Sequence, residues 1–242
     1  MKILIVNDDG IQAPGILELA KWARKLGEVT VAAPKVEQSG KSQSIQLHEA
    51  FEVQKRDLAP GITGYAVNSS PADCVRYALT VLNEKFDLVL SGVNRGLNIG
   101  PELMYSGTAG AATEAAFHGI NTLAISSKMA YYDRAVSHMD DIYDFVVRNE
   151  LFSLNNFYNI NIPNDTNGKI RVTRQGEFRY EDVFTEEAPG KVAIPLGPRV
   201  YDGAGNGEYD IDAMMAGDIS ITPITLERTQ MDVYRKLREA IQ

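Results

Sequence analysis

The sequence predicts an α/β protein built on a mostly parallel, doubly wound sheet. Two observations carry that expectation. Short, continuous apolar runs recur along the first half of the chain, as in strands covered on both faces. Segments of helical spacing separate them, several with recognisable start and stop residues. Such βαβ alternation implies parallel strands joined by helical crossovers.

The elements follow in order. KILIV (residues 2–6) reads as a buried strand. Ile16, Leu17, Ala20, Ala23 and Leu26 in APGILELAKWARKLG have helical spacing, with Gly27 as the expected C-cap. EVTVAAP is the second strand, followed by a polar loop over 35–50 with a short strand expected at Ser44–Leu47. FEVQKR and TGYAVNS read as strands. In SSPADCVRYALTVLNEK, Ser70 suits a cap, Pro71 the first helical position and Asp73 the positive end of the dipole. FDLVLSGVN is a strand, SGTAGAATEAAFHG a helix of small residues, NTLAISS a strand and AVSHMDDIYDFVVRN a helix. After Pro163 the pattern changes. KIRVTRQG, KVAIPLG and GDISITPI read as strands with long Gly/Asp-rich joins, and TQMDVYRKLREAI as an amphipathic helix. The expectation is one domain over 1–242, with an α/β core over 1–163 and a C-terminal β/α extension over 164–242 that serves oligomerisation.

Composition narrows the function classes. The chain has 242 residues, 44% of them hydrophobic and 23% charged. With 24 basic and 32 acidic residues the formal charge is −8, which opposes a broad footprint on a nucleic-acid polymer. The single cysteine, Cys74, excludes an intramolecular disulfide and a cysteine zinc cluster. No apolar run approaches the ~20 residues of a membrane helix, and five apolar residues before two acids are too few for a signal peptide. The expectation is a soluble, cytoplasmic protein.

Asp8 and Asp9 follow the first strand directly. In an open parallel sheet, ligands bind outside the carboxyl ends of the strands. The 35–42 loop and SGVN (91–94) lie at the same end of their strands. Two carboxylates, the Ser39 hydroxyl and the Asn94 amide oxygen can therefore share one crevice. These are hard oxygen donors, suited to Mg²⁺ or Mn²⁺ rather than zinc. The helix starting at YSGT would bring the Ser106 hydroxyl and the Gly107 and Thr108 N–H groups as an anion site. A divalent cation beside such a helix end suits phosphate-ester chemistry. Plainer readings stand beside these: Asp-Asp-Gly as a turn, Ser106 as a cap only, Asn94 and Asn98 bonding their own loop, Cys74 packed in a helix, His118 capping its helix, and Lys41 and Arg95 as solvated surface.

NDDG (7–10), APG (13–15), SG (39–40), PADCV (71–75), SGVNRGLNIG (91–100), YSGT (105–108) and SITP (220–223), in that order, resemble the SurE family of stationary-phase survival proteins. The resemblance implies a Rossmann-like core whose C-terminal arm is exchanged between subunits in a homodimer or homotetramer. It implies a phosphatase dependent on one divalent cation per subunit, hydrolysing nucleoside 5′- and 3′-monophosphates, with short polyphosphate as a further substrate. Carried over by motif, the metal ligands are Asp8, Asp9, Ser39 and Asn94, with Asp8 and Asp9 also catalytic. Asn98, Ser106, Gly107 and Thr108 fall on the phosphate side. The sequence departs from the family pattern at Ser69-Ser70, Leu97 and Gln43-Ser44.

The rivals fit less well. A haloacid-dehalogenase-type phosphatase needs Asp-x-Asp-Gly-Thr, whereas here the acids are adjacent. A receiver domain needs an acceptor Asp where the strand over 86–91 ends on Ser91. A nucleotide-binding stress protein that does not hydrolyse is the non-enzymatic alternative, separable by turnover.

Overall fold

Alternate residues of the first strand enter two different cores. The computed structural model describes residues 1–128, 132–193 and 197–241. In β1 (Lys2–Val6), Ile3 and Ile5 join one apolar cluster, and Leu4 and Val6 join another. A strand buried on both faces needs no polar alternation, which is why its sequence reads as a continuous apolar run.

The chain continues through α1 (Pro14–Ala23), β2 (Glu28–Pro34), β3 (Val53–Ala59), β4 (Ile62–Val67), α2 (Pro71–Thr80) and β5 (Leu88–Arg95). A 3₁₀ turn at Gly100–Met104 leads to α3 (Gly107–Phe117) and β6 (Asn121–Ser127). Then come α4 (Tyr132–Ser137), α5 (Met139–Arg148), α6 (Leu151–Leu154), β7 (Phe157–Ile162) and β8 (Ile170–Val172). The last part holds β9 (Arg179–Tyr180), β10 (Glu186–Ala188), β11 (Lys191–Val192), β12 (Arg199–Val200), α7 (Asp210–Met215), β13 (Ile219–Pro223) and α8 (Met231–Ile241).

Nine strands form one sheet in the order β3-β4-β2-β1-β5-β6-β7-β13-β8. From β4 to β7 all neighbours are parallel; β3 is antiparallel to β4, and β13 to β7. The first cluster covers one face with residues of α1 and α5, the second covers the other with residues of α2 and α3. The sheet is thus doubly wound, as expected. The chain builds outward from β1 to β2 and β4, then returns to place β5, β6 and β7 on the other side. The order reverses between β1 and β5, and the crevice of such a sheet opens at that point.

Several local expectations change. Residues 44–47 form no strand; Ile45 and Leu47 are exposed, and the Gln46 N–H donates to Asp73 Oδ2 at 2.8 Å. Helix α1 ends at Ala23 with Arg24 as its cap, so Gly27 is not a C-cap. Gly27 is needed for a close approach instead: a Cβ there would lie 2.0 Å from the Met1 carbonyl oxygen. His118 does stand at the C-cap of α3, with its Nε2 3.5 Å from Glu114 Oε1. The segment expected as one helix over 135–149 divides at His138 into α4 and α5. Strand β7 is not expected from the sequence, because Asn159 and Asn161 interrupt its apolar run, yet all six residues are buried. Of the strand expected over 191–197, only Lys191–Val192 is seen, and 194–196 lie outside the described residues. Ser70 does cap α2, accepting the Asp73 N–H at 3.1 Å, and Cys74 is buried. Strand β13 lies inside the main sheet, between β7 and β8.

Candidate active site

The turn after β1 is closed by Asn7 and Gly10. Asn7, fully buried, donates from Nδ2 to the Gly10 carbonyl (3.0 Å) and accepts the Gly10 N–H at Oδ1 (3.2 Å). Gly10 has φ +102°, a backbone region open to glycine. The turn therefore makes no use of the two aspartates it presents. Its turn chemistry and the two carboxylates it presents to other elements are compatible features of one motif.

Asp8 is 4% exposed and accepts a hydrogen bond at Oδ1 from Thr108 Oγ1. Gly107 permits this approach, since a Cβ there would fall 2.7 Å from the Asp8 Cβ. Burial pushes the Asp8 carboxyl above its ordinary range, against the Thr108 hydroxyl and the Gly107 and Thr108 backbone groups, which favour the charge. The anion that the N-terminus of α3 receives here is thus the Asp8 carboxylate. Asp9 accepts the Arg95 N–H at Oδ2 (3.0 Å). Burial first, then the charges of Asp8 and Glu37, push it up to about 6.

Two more loops reach the same turn. The Gln38 N–H donates to the Asp8 carbonyl at 2.7 Å, which holds the 35–40 loop against it. Ser39 in that loop is exposed and donates to Glu37 Oε1 (2.7 Å). Asn94 donates from Nδ2 to the Gly96 carbonyl (2.9 Å). Backbone N–H groups hold the Ser39 loop to the Asp8 carbonyl and the Asn94 loop to the Asp9 carboxylate, while the Ser39 and Asn94 side chains bond locally.

The donor set fits a hard divalent cation. Among the described residues no Lys or Arg forms an ion pair with Asp8 or Asp9. Adjacent carboxylates withdrawn from water are costly without a counter-charge. No group of three or more His, Cys, Asp and Glu gathers as a metal site among the described residues. A cation here would take two carboxylates and neutral oxygens, the pattern of Mg²⁺ or Mn²⁺.

Asn98 and Ser106 have structural duties. Asn98 is 6% exposed and donates from Nδ2 to Ser126 Oγ at 2.9 Å. Its N–H donates to Asn161 Oδ1 (2.8 Å), and its carbonyl accepts from Asn159 Nδ2 (2.7 Å) and Asn161 Nδ2 (3.1 Å). The far end of the loop is held too: the Gly100 N–H donates to Asp210 Oδ2 (2.9 Å), and its carbonyl accepts from Gln175 Nε2 (2.9 Å). Ser106 caps α3 through the Ala109 N–H at 3.0 Å. Sequence reasoning missed Glu37, Ser126, Asn159, Asn161 and Asp210. The alternation of Asn and Ile in NINI was the available signal, since period-2 polarity marks one face of a strand.

The family model described as "Survival protein SurE" matches residues 3–182. A "5'-nucleotidase SurE" of Thermosipho melanesiensis is 36% identical over 99% of this chain and 97% of its own. One of Natranaerobius thermophilus is 35% identical over 98% and 97%. The crystal structure of the SurE protein of Aquifex aeolicus superposes with TM-score 0.80 at 30% identity and covers the whole of both chains. A doubly wound core with Asp8 and Asp9 at its switch point, matched along nearly its full length in sequence and structure, places this chain in the survival protein SurE family.

Proposed function

We propose that this protein is a 5′-nucleotidase, a phosphomonoesterase that releases phosphate from nucleoside monophosphates with one Mg²⁺ or Mn²⁺ per subunit. The observation that carries the reading is the pair Asp8 and Asp9, which form no salt bridge with Lys or Arg among the described residues and sit where the sheet reverses its order. The relatives named 5′-nucleotidase support the reaction class. Asp8, Asp9, Ser39 and Asn94 would hold the cation, each through oxygen. A bound cation would neutralise charge on the phosphoryl oxygens and lower the pKa of a water.

The chain's own groups supply the rest. Thr108 and the first turn of α3 keep Asp8 in place, and the Arg95 N–H keeps Asp9 beside it. One of the two carboxylates, Asp8 or Asp9, also serves as the acceptor for the proton of the attacking water. Beside the Asp8 carboxylate that it already receives, the helix N-terminus at Ser106, Gly107 and Thr108, with Asn98, would also form the phosphate side of the site. A site that grips mainly the phosphoryl end also admits nucleoside 3′-monophosphates and the end of short polyphosphate. The C-terminal arm would join copies into a homodimer or homotetramer. Helix α8, whose Val233, Tyr234, Leu237 and Ile241 are exposed, supports that assembly.

The test is phosphate release from nucleoside 5′- and 3′-monophosphates and tripolyphosphate with Mg²⁺, Mn²⁺ or EDTA. Release that requires metal and stops with EDTA is expected. Nucleotide binding without release under either metal would instead assign the chain as a sensor.

A further inference from the structure

We propose that Asp73, Arg76 and Glu114 form a latch that sets the position of Ser39. The proposal rests on the reading of Ser39 as a cation ligand and names the residues that position it. Residues 35–50 hold no helix or strand, so their course depends on bonds to other elements. The Ser39 hydroxyl donates within its own segment, to Glu37, so its place follows that course. The segment is tied on both sides of Ser39. Before it, the Gln38 N–H donates to the Asp8 carbonyl at 2.7 Å. After it, the Ser42 N–H donates to the Tyr105 carbonyl (3.0 Å), Gln43 Nε2 to Glu114 Oε2 (3.0 Å) and the Gln46 N–H to Asp73 Oδ2 (2.8 Å). Helix α3 admits the segment at Gly110, where a Cβ would fall 2.1 Å from the Ser42 carbonyl oxygen. Ser42 has φ +52°, a left-handed conformation uncommon for serine, and such a residue persists where its surroundings over-determine it.

The two carboxylates are joined by one cation. Asp73 is 2% exposed and accepts from Ser69 Oγ (2.6 Å) and Arg76 Nη1 (3.0 Å) as well as from Gln46. Arg76 Nε lies 4.0 Å from Glu114 Oε1, and His118 Nε2 lies 3.5 Å from the same oxygen. A single guanidinium thus stands between two carboxylates that each take a hydrogen from the segment. Bonds to charged acceptors are the stronger kind, and the guanidinium supplies the counter-charge that a buried carboxylate needs. Glu114 is seven residues along α3 from Gly107, about 10 Å of helix rise. It acts on Ser39 through the segment rather than by touching the site. Without these tethers Ser39, Gly40 and Lys41 would be held from one side only. A ligand oxygen already in place spares a cation the cost of ordering the segment that carries it.

Asp73→Ala removes one tether and Glu114→Ala the other, while Glu114→Gln keeps an acceptor oxygen for Gln43. The full chain is titrated with Mn²⁺ alone, and free Mn²⁺ is followed by electron paramagnetic resonance. Amide hydrogen exchange over 39–46 is measured without metal. Both alanine variants are expected to exchange faster over 39–46, with β1 and β5 unchanged. Their Kd for Mn²⁺ should rise about tenfold, with Glu114→Gln within about twofold of wild type. Faster exchange with unchanged Mn²⁺ affinity in both alanine variants overturns the positioning role, and unchanged exchange overturns the tether itself. An equal loss in Glu114→Ala and Glu114→Gln also overturns it. If Asp73→Ala fails to fold, the Glu114 pair decides. If the wild-type chain binds no Mn²⁺, the cation reading fails. The latch then stands or falls on whether the Ser39 and Gly40 amides exchange faster in Glu114→Ala than in Glu114→Gln.

Discussion

The first 128 residues and the region from β7 to β13 are built by different rules. The first half has long buried strands and, in α2 and α3, helices capped by side chains, and it carries Asp8, Asp9, Ser39 and Asn94. In the second, β8 to β12 are two or three residues long and largely exposed or half-buried. Yet this second region supplies the groups that grip the site loop: Asn159 and Asn161 at Asn98, Gln175 and Asp210 at Gly100. The proposed reacting groups and the scaffold that positions their loops are encoded apart, under different sequence signals. A loop rich in Gly and Asn cannot hold one shape by itself, so it borrows rigidity from buried amides.

Substitutions can separate the two contributions. Asp8→Asn is expected to have the largest effect, a loss of turnover of at least about 10²-fold, with an unchanged melting temperature because the amide oxygen still accepts from Thr108. Near-wild-type phosphate release in that variant would remove Asp8 from the site. Asn161→Leu tests the other region. It strips the partner from a buried N–H and one donor from a buried carbonyl, a stability cost of about 1–3 kcal/mol in urea unfolding. Displacement of the 94–100 loop is expected to lower kcat up to about 10²-fold. A stability loss without a kinetic one would show that the scaffold serves the fold alone.

Gly107→Ala probes the seam between α3 and β1. Alanine favours the helix, but its Cβ meets Asp8 at 2.7 Å. Overpacking of this type costs about 1–3 kcal/mol, and calorimetric melting with kcat will show whether it falls on stability or on turnover. The smallest kinetic effect is expected at Asp218, the residue directly before β13. The hydrogen bond from Asn167 and the ion pair with Arg171 hold its carboxyl below the ordinary range. Because the folded pKa is depressed, this stabilisation is complete above the unfolded value of about 3.9 and is lost as pH falls through the lower folded one. Asp218→Asn should therefore be less stable than wild type at pH 7. The gap should close below about pH 4, with phosphate release at neutral pH unaltered.

Much of the first half was legible because its signals are local. A short run such as KILIV, five residues long and ending at a turn, reads as a strand buried on both faces, and Ser70-Pro71 marks a helix start through bonds within four residues. Asp8 and Asp9 were legible as a site because they interrupt such a run at its end. The roles of β7 and α7 were not. Asn159 and Asn161 look like loop residues until the sheet places them under Asn98, more than sixty positions upstream. Glu37 likewise became part of the site only once the Gln38 N–H was seen on the Asp8 carbonyl.

The sequence alone determined the α/β class and the parallel core, and it pointed to the end of the sheet and the two carboxylates on which the proposed site rests. These follow from periodicity, caps and the side-chain inventory, which act over a few residues. Only the tertiary structure decided that the α3 N-terminus receives Asp8, that the amides of β7 clamp Asn98, and that Asp73 and Glu114 accept from Gln46 and Gln43. Each depends on which distant segments are neighbours, and that is set by packing both faces of the sheet at once rather than by any local preference.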